Sequence, residues 1–143
     1  MVAQARSARS LVADLQKTGE RYSKLRSLFS DFCKMSAFLV SKDSPLQEMR
    51  HSINAAQNLL ELEFCGVTYK FRFSMDYKSG KGIVTCSVPD ENQQSGTKDV
   101  GSFTFVGTGD SDVKGEQGDP LRVNTSGDSS HLILHTIHGV MEN

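Results

Sequence analysis

The sequence has no long hydrophobic run and few cysteines. No apolar stretch approaches the roughly 18–20 residues that a membrane-spanning helix needs, so we expect no membrane partner. Residues 1–10 are basic but lack the apolar core of a secretory signal peptide. An odd number of widely spaced cysteines favours free thiols in a reducing, cytoplasmic environment over a disulfide framework. These cysteines are Cys33, Cys65 and Cys86.

Motifs of enzyme chemistry are also missing from the sequence. There is no CxxC pair, which argues against a zinc ribbon and against a thioredoxin-type site. There is no HExxH motif, no nucleophile elbow and no evident pair of catalytic carboxylates. We therefore expect a protein that is not an enzyme and that carries neither a cofactor nor a metal ion.

Charge is divided unevenly along the chain, although the formal net charge is only −1. Residues 1–58 contain nine Lys and Arg against five Asp and Glu, and residues 59–143 contain seven against twelve. Either each sign solvates its own half, or the two halves attract partners or each other between protomers. Nucleic-acid binding is not expected, because the pI is 6.4 and no nucleic-acid-binding module is recognisable.

Residues 7–39 are predicted to form a long amphipathic helix. Their apolar and small residues recur with a 4-3-4-3 spacing, which places them in one stripe along the helix. The stripe contains Leu11, Leu15, Thr18, Tyr22, Leu25, Phe29, Phe32, Ser36 and Leu39. At 1.5 Å per residue this helix would be roughly 50 Å long, more than a small domain can cover. Either it breaks near Gly19, or its N-terminal part packs on another chain.

A second helix is predicted for residues 45–57, because Ser44 followed by Pro45 is a favourable helix start. Its apolar face would contain Leu46, Met49, Ile53 and Ala56.

The apolar period changes to two after Asn58, which predicts a β-meander over residues 59–126. Cys65 and Gly66 are suited to a two-residue hairpin turn. Residues 89–99 and 107–120 are predicted to be long loops. Residues 130–141 favour a terminal helix, with a strand as the alternative.

Three histidines near the C-terminus are the strongest candidate for metal chemistry. His131, His135 and His138 have i, i+4, i+7 spacing, so in a helix they share one side. The general-base Glu of HExxH is missing, and a polar helix face explains the same spacing. If the segment is a strand, His138 faces away from the other two.

Two loops resemble ligand-binding loops only in part. Residues 76–82 contain two Lys and two Gly that could hold a phosphate, but they lack Walker A spacing and no helix follows them. Residues 107–120 resemble an EF-hand loop, but Lys114 occupies a ligand position and Leu121 replaces the bidentate Glu. A solvated hairpin tip and a surface loop are the simpler interpretations.

We predict one α+β domain over residues 1–143, with a helical half (1–58), a β-meander (59–126) and a C-terminal helix (130–141). N-terminal helices and the C-terminal helix would pack on an antiparallel sheet of four to five strands. The order of elements resembles that of small dimeric secretion chaperones at the level of fold alone, which does not imply function.

The predicted function is a protein-interaction module, such as an adaptor, inhibitor or chaperone-like protein. It would bind a protein partner or a second copy of itself through the N-terminal helix, at Leu11, Leu15, Tyr22 and Leu25. The alternative is a small-ligand-binding domain with a pocket between helix and sheet or under the long loops.

Overall fold

The computed structural model describes residues 3–142, apart from the side chain of Ala55. Its α-helices are α1 (Ala8–Met35) and α2 (Ser126–Glu142), and short 3₁₀ turns cover Ser36–Val40 and Ala55–Gln57. The strands of this part of the chain are β1 (Met49–Asn54), β2 (Leu59–Phe64), β3 (Val67–Asp76), β4 (Lys81–Pro89), β5 (Thr97–Phe105), β6 (Asp110–Lys114) and β7 (Pro120–Arg122).

The strands form an antiparallel meander in which each strand pairs with its neighbours in sequence. The α+β class, one N-terminal helix, the C-terminal helix and the antiparallel sheet are confirmed. The predicted number of four to five strands is wrong, because the sheet has 7 strands in the order β1 to β7. The additional strands are β1 and β6, which lie in segments predicted to be a helix and a loop.

The predicted second helix over residues 45–57 is wrong, and most of that segment is the edge strand β1. Ser44 does not cap a helix: its side chain accepts a hydrogen bond from the backbone N–H of Leu46, two residues on, at 3.2 Å. Glu48 then adopts a φ of 62°, which a right-handed helix cannot contain. Met49 and Ile53 fit a period of two as well as a period of four, and pairing with β2 decides between them.

The predicted long loop over residues 107–120 contains the strand β6. Ser111 pairs with Phe105 of β5, and Lys114 pairs with Pro120 of β7. Two of the four acidic side chains of this segment have structural contacts. Asp112 accepts a hydrogen bond from the Thr104 N–H at 3.0 Å, and Asp110 lies 3.5 Å from the guanidinium of Arg122.

Two local predictions are confirmed by the sheet and the C-terminal helix. Cys65 and Gly66 form the β2–β3 turn with φ values of 52° and 85°, the left-handed pair of a type I′ hairpin. Residues 130–141 lie within α2, so the strand alternative is excluded. α2 begins earlier than predicted, at Ser126, and packs beside α1 against β5 and β7.

The core lies between the second half of α1 and the middle strands. Phe29 stacks on Phe73 of β3 with ring centroids 5.6 Å apart. Phe32 meets the edges of Phe71 and Phe103, at 6.4 and 5.8 Å. Alternate residues from Leu60 to Leu62 and from Tyr69 to Met75 are buried in this layer, as their period of two predicts, and the residues between them are polar.

Gly82 on β4 allows the ring of Phe105 to lie directly on the strand. A Cβ atom at Gly82 would lie 2.4 Å from Phe105 Cζ. We therefore expect Gly82→Ala to lower the free energy of unfolding by ~1–3 kcal/mol, because the core must move to admit one methyl group. Urea denaturation followed by circular dichroism measures this change.

The matched control is Gly19→Ala in α1, where no atom of residues 3–142 outside the neighbouring turn of the helix lies within 4 Å of the added Cβ. We expect this variant to raise stability by about 0.5–1 kcal/mol, since alanine loses less entropy in a helix than glycine does. Equal effects of the two substitutions would contradict the close approach of Phe105 to Gly82.

Candidate functional site

The first half of α1, residues 8–21, extends beyond the sheet. The helix is continuous through Gly19, so the break considered for that position does not occur. Its 28 residues correspond to about 42 Å, and the buried apolar residues begin only at Leu25. Leu11, Val12 and Leu15 are 39%, 62% and 70% exposed. We call residues 8–21 the exposed half-helix.

The exposed half-helix is closed at its N-terminus by local interactions. The Ser7 side chain accepts a hydrogen bond from the backbone N–H of Ser10 at 3.2 Å and is the N-cap. The guanidinium of Arg6 lies 2.5 Å from a carboxylate oxygen of Asp14. The segment is therefore a capped helix that has few tertiary contacts, and it presents an ordered surface.

The four residues predicted to bind a partner have different environments. Leu11 and Leu15 are exposed, as a contact surface requires. Tyr22 is half-buried, with its ring 5.5 Å from that of Phe73. Leu25 is 1% exposed and belongs to the core, so it is not part of the accessible surface. Val12 is also accessible. The predicted stripe did not include it, because it follows Leu11 directly and so lies about 100° around the helix from it.

A cavity of about 360 Å³ lies between α1 and the β1–β2 edge of the sheet. One polar chain crosses this region: Arg26 donates to the side-chain oxygen of Asn58, whose amide donates to the Tyr22 hydroxyl, both at 2.9 Å. The lining combines hydroxyl, amide and apolar groups. It contains Ser23, Arg26, Ser27, Phe29, Ser30, Cys33, Ile53, Asn54, Asn58 and Leu59.

The three histidines predicted to share one side of a helix do line one groove. The groove, of about 430 Å³, is mostly apolar and lies between α2 and the residues around β1. Besides His131, His135 and His138, it contains Leu46, Met49, Phe64, Leu134, Ile137 and Met141. Within residues 3–142, no three His, Cys, Asp or Glu side chains are placed to hold a metal ion. Helical spacing alone does not bring the imidazoles together.

The β3–β4 turn is ordered by Asp76. Its carboxylate accepts hydrogen bonds from the Ser79 hydroxyl at 2.9 Å and from the Lys78 N–H at 3.1 Å. The bond from Ser79 is the main reason why the pKa of Asp76 lies below its ordinary value, and the Lys78 bond adds to it. The turn therefore has a fixed shape around an ionised carboxylate.

The cysteines are free thiols in two different environments. Cys33 and Cys86 are buried, and Cys65 is exposed in the β2–β3 turn. Burial raises the pKa of Cys33 and of Cys86 from 9.0 to about 12, because a thiolate would lose its solvation there. Folding stability linked to these thiols is complete below pH 9.0 and falls as the pH rises toward 12.

Comparison with known proteins returns no match: no family model, no curated protein and no solved structure is similar to this chain. Between residues 3 and 142, neither helix combines the length and the apolar character needed to cross a bilayer. The geometry of the surfaces described above is therefore the basis for a functional proposal.

The thiol environments predict selective alkylation of the native protein. At about pH 8, iodoacetamide should modify Cys65 and leave Cys33 and Cys86 unmodified, because buried thiols with a raised pKa supply almost no thiolate. Peptide mass spectrometry measures modification at each site, and protein unfolded in guanidinium is the control in which all three should react. Rapid native labelling of Cys33 would contradict its position in the core.

Proposed function

We propose that the protein is an interaction module that self-associates through the exposed half-helix. The observation that supports this proposal is the exposure of Leu11, Val12 and Leu15 on an ordered helix. Leu11 and Leu15 continue the stripe that binds the sheet further along α1. The same pattern that builds the core is therefore presented to solvent over residues 8–21.

The free energy gained by burying apolar side chains favours a partner for this segment. An isolated helix of this length is marginally stable in water, and helices in proteins gain most of their stability from packing an apolar face. Burying an exposed leucine side chain fully is worth roughly 1.5–3 kcal/mol. Covering Leu11 and Leu15 with apolar side chains of a partner would stabilise the helix and the complex together.

A second copy of the chain supplies a suitable partner surface. In a two-fold dimer the same patch contacts itself, so the stripe of one half-helix would pack on the stripe of the other. The exposed half-helix, residues 8–21, carries three Lys and Arg against two Asp and Glu. With a net charge of only +1 on each half-helix, the repulsion between two of them is small and is screened by salt.

The size of the surface limits the strength of the dimer. Residues 8–21 form about 21 Å of helix, and a helix pair of that length covers less than the ~800 Å² per partner of a standard interface. We therefore expect a reversible dimer whose population depends on concentration, in contrast to an obligate one.

Leu15→Glu should shift the dimer toward monomer by placing a charge on the stripe. Sedimentation velocity over a range of concentrations measures the dimer population of the wild type and of the variant. Leu15 is 70% exposed within the protomer, so the melting temperature of the monomer should change little.

Ala13→Glu is the matched control, because it adds the same charge at an exposed position about 160° around the helix from Leu15. Dissociation by Leu15→Glu alone supports the proposed interface. A wild type that is monomeric at all concentrations, or equal dissociation by both variants, would refute it.

The cavity between α1 and the β1–β2 edge favours a second candidate function, binding of a small ligand. Its volume of about 360 Å³ lies in the range of small-molecule sites, and its lining offers hydroxyl and amide groups beside apolar surface. Its place between a helix and the sheet supports this second proposal.

Ser27→Trp should fill that cavity and abolish ligand binding. Native mass spectrometry of protein purified from its own source should then detect a bound small molecule in the wild type and none in the variant. Gln16→Trp, on the exposed half-helix, is the control for an added indole. An apo mass for the wild type under the same conditions would contradict this second function.

A further inference from the structure

A line of three cations follows one side of α1 next to the stripe. Lys17, Arg21 and Lys24 have i, i+4, i+7 spacing, and none of them forms an ion pair within residues 3–142. Like charges at i, i+4 on a helix repel each other. The line lies about 100° around the helix from the stripe, so it forms a surface separate from the proposed dimer contact.

Two glycine-containing turns face these cations. A Cβ atom at Gly80 of the β3–β4 turn would lie 2.5 Å from a guanidinium nitrogen of Arg21. A Cβ atom at Gly107 would lie 3.8 Å from the ammonium nitrogen of Lys24. The absence of a side chain at Gly80 is what allows Arg21 to lie against its turn, whereas a Cβ atom at Gly107 would make only an ordinary contact with Lys24.

The helix and the turns enclose an open cleft of about 430 Å³. It is lined by Lys17, Glu20, Arg21, Lys24, Leu25, Gly80 and Gly107. The volume is suited to a small molecule or to one part of a larger ligand. Leu25 is 1% exposed and forms an apolar floor, whereas the cations around it are exposed to solvent.

Positive charge dominates the cleft. Three cationic side chains in the lining face a single carboxylate, that of Glu20. The adjacent turn carries Lys78 and Lys81 beside the ionised carboxylate of Asp76, so its own net charge is only +1. A ligand carrying about two negative charges would neutralise the cations of the lining.

We propose that this cleft binds the phosphate or diphosphate group of a small ligand. A phosphate presents several acceptor oxygens in a tetrahedral arrangement, so the fork of Arg21 and the ammonium groups of two lysines can bind it together. A single carboxylate has two oxygens and one charge, and it would leave part of the cluster unpaired. Residues 76–82, which the sequence indicated as a possible phosphate loop, would border the site through Gly80, and α1 would supply the cations that line it.

Isothermal titration calorimetry of the full chain with pyrophosphate tests this site, and ADP in a second arm distinguishes a nucleotide from a bare diphosphate. Lys24→Gln should weaken binding about ten-fold, the loss expected for one charge-assisted contact. Lys34→Gln is the control, because Lys34 is exposed on the same helix outside the cleft and should leave binding unchanged. Equal weakening by both variants would refute a localised site, as would no binding of either ligand.

A second pair of variants tests the geometry. Gly80→Ala should weaken pyrophosphate binding, because the added Cβ displaces Arg21. Gly118→Ala is its control: Gly118 has a φ of +87°, compared with +72° for Gly80, but nothing lies within 4 Å of its added Cβ. The two therefore share backbone strain, and only Gly80→Ala moves the cation. Unchanged affinity in folded Gly80→Ala would overturn the role of Arg21.

Discussion

The contact between Phe29 and Phe32 of α1 and the aromatic residues of the sheet determines how the rest of the molecule is arranged. Six of the 8 phenylalanines are buried, and the rings of this layer lie 5.6–6.4 Å apart across the helix–sheet interface. Aromatic rings bury large apolar areas and prefer such offset or edge-on arrangements. Because these rings lie in the second half of α1, that half is fixed on the sheet.

The position of this layer explains why the exposed half-helix and the cationic cleft lie where they do. A helix anchored near Phe29 and running about 42 Å extends past the sheet toward its N-terminus, which exposes Leu11 and Leu15. Where α1 leaves the core, beside Leu25, it passes the tips of the β3–β4 and β5–β6 turns. Arg21 and Lys24 meet glycines there, so the cationic cleft is a consequence of the same anchoring.

The elements that were predicted correctly are those whose apolar residues fit only one period, either that of a helix or that of a strand. The stripe from Leu11 to Phe32 fits only a helix, and the alternation in β2 and β3 fits only strands. β1 was missed because Met49 and Ile53 fit both periods, and its strand pairing is a tertiary property that local propensity does not contain. β6 was missed for a similar reason, since its residues are polar and acidic and pair only at the end of the meander.

The candidate sites were harder to predict than the strands, because they are formed by contacts between residues that are far apart in the sequence. Charge patterning identified a cationic N-terminal half, and residues 76–82 were considered as a phosphate loop, yet nothing in the sequence places Arg21 against Gly80. Conversely, helical spacing correctly put three histidines on one side of α2, but the groove that they line is mostly apolar. Spacing determines which side chains share a face, and only packing decides what that face meets.

The two proposed surfaces use different sides of one helix, and this has a consequence for how they could influence each other. The stripe with Leu11 and Leu15 and the line with Lys17 and Arg21 are about 100° apart, so a dimer contact and a bound phosphate need not exclude each other. Both would stabilise the same weakly supported part of α1, one by apolar packing and the other by neutralising like charges. Because each would stabilise the same helical segment, the expected coupling between anion binding and self-association is positive.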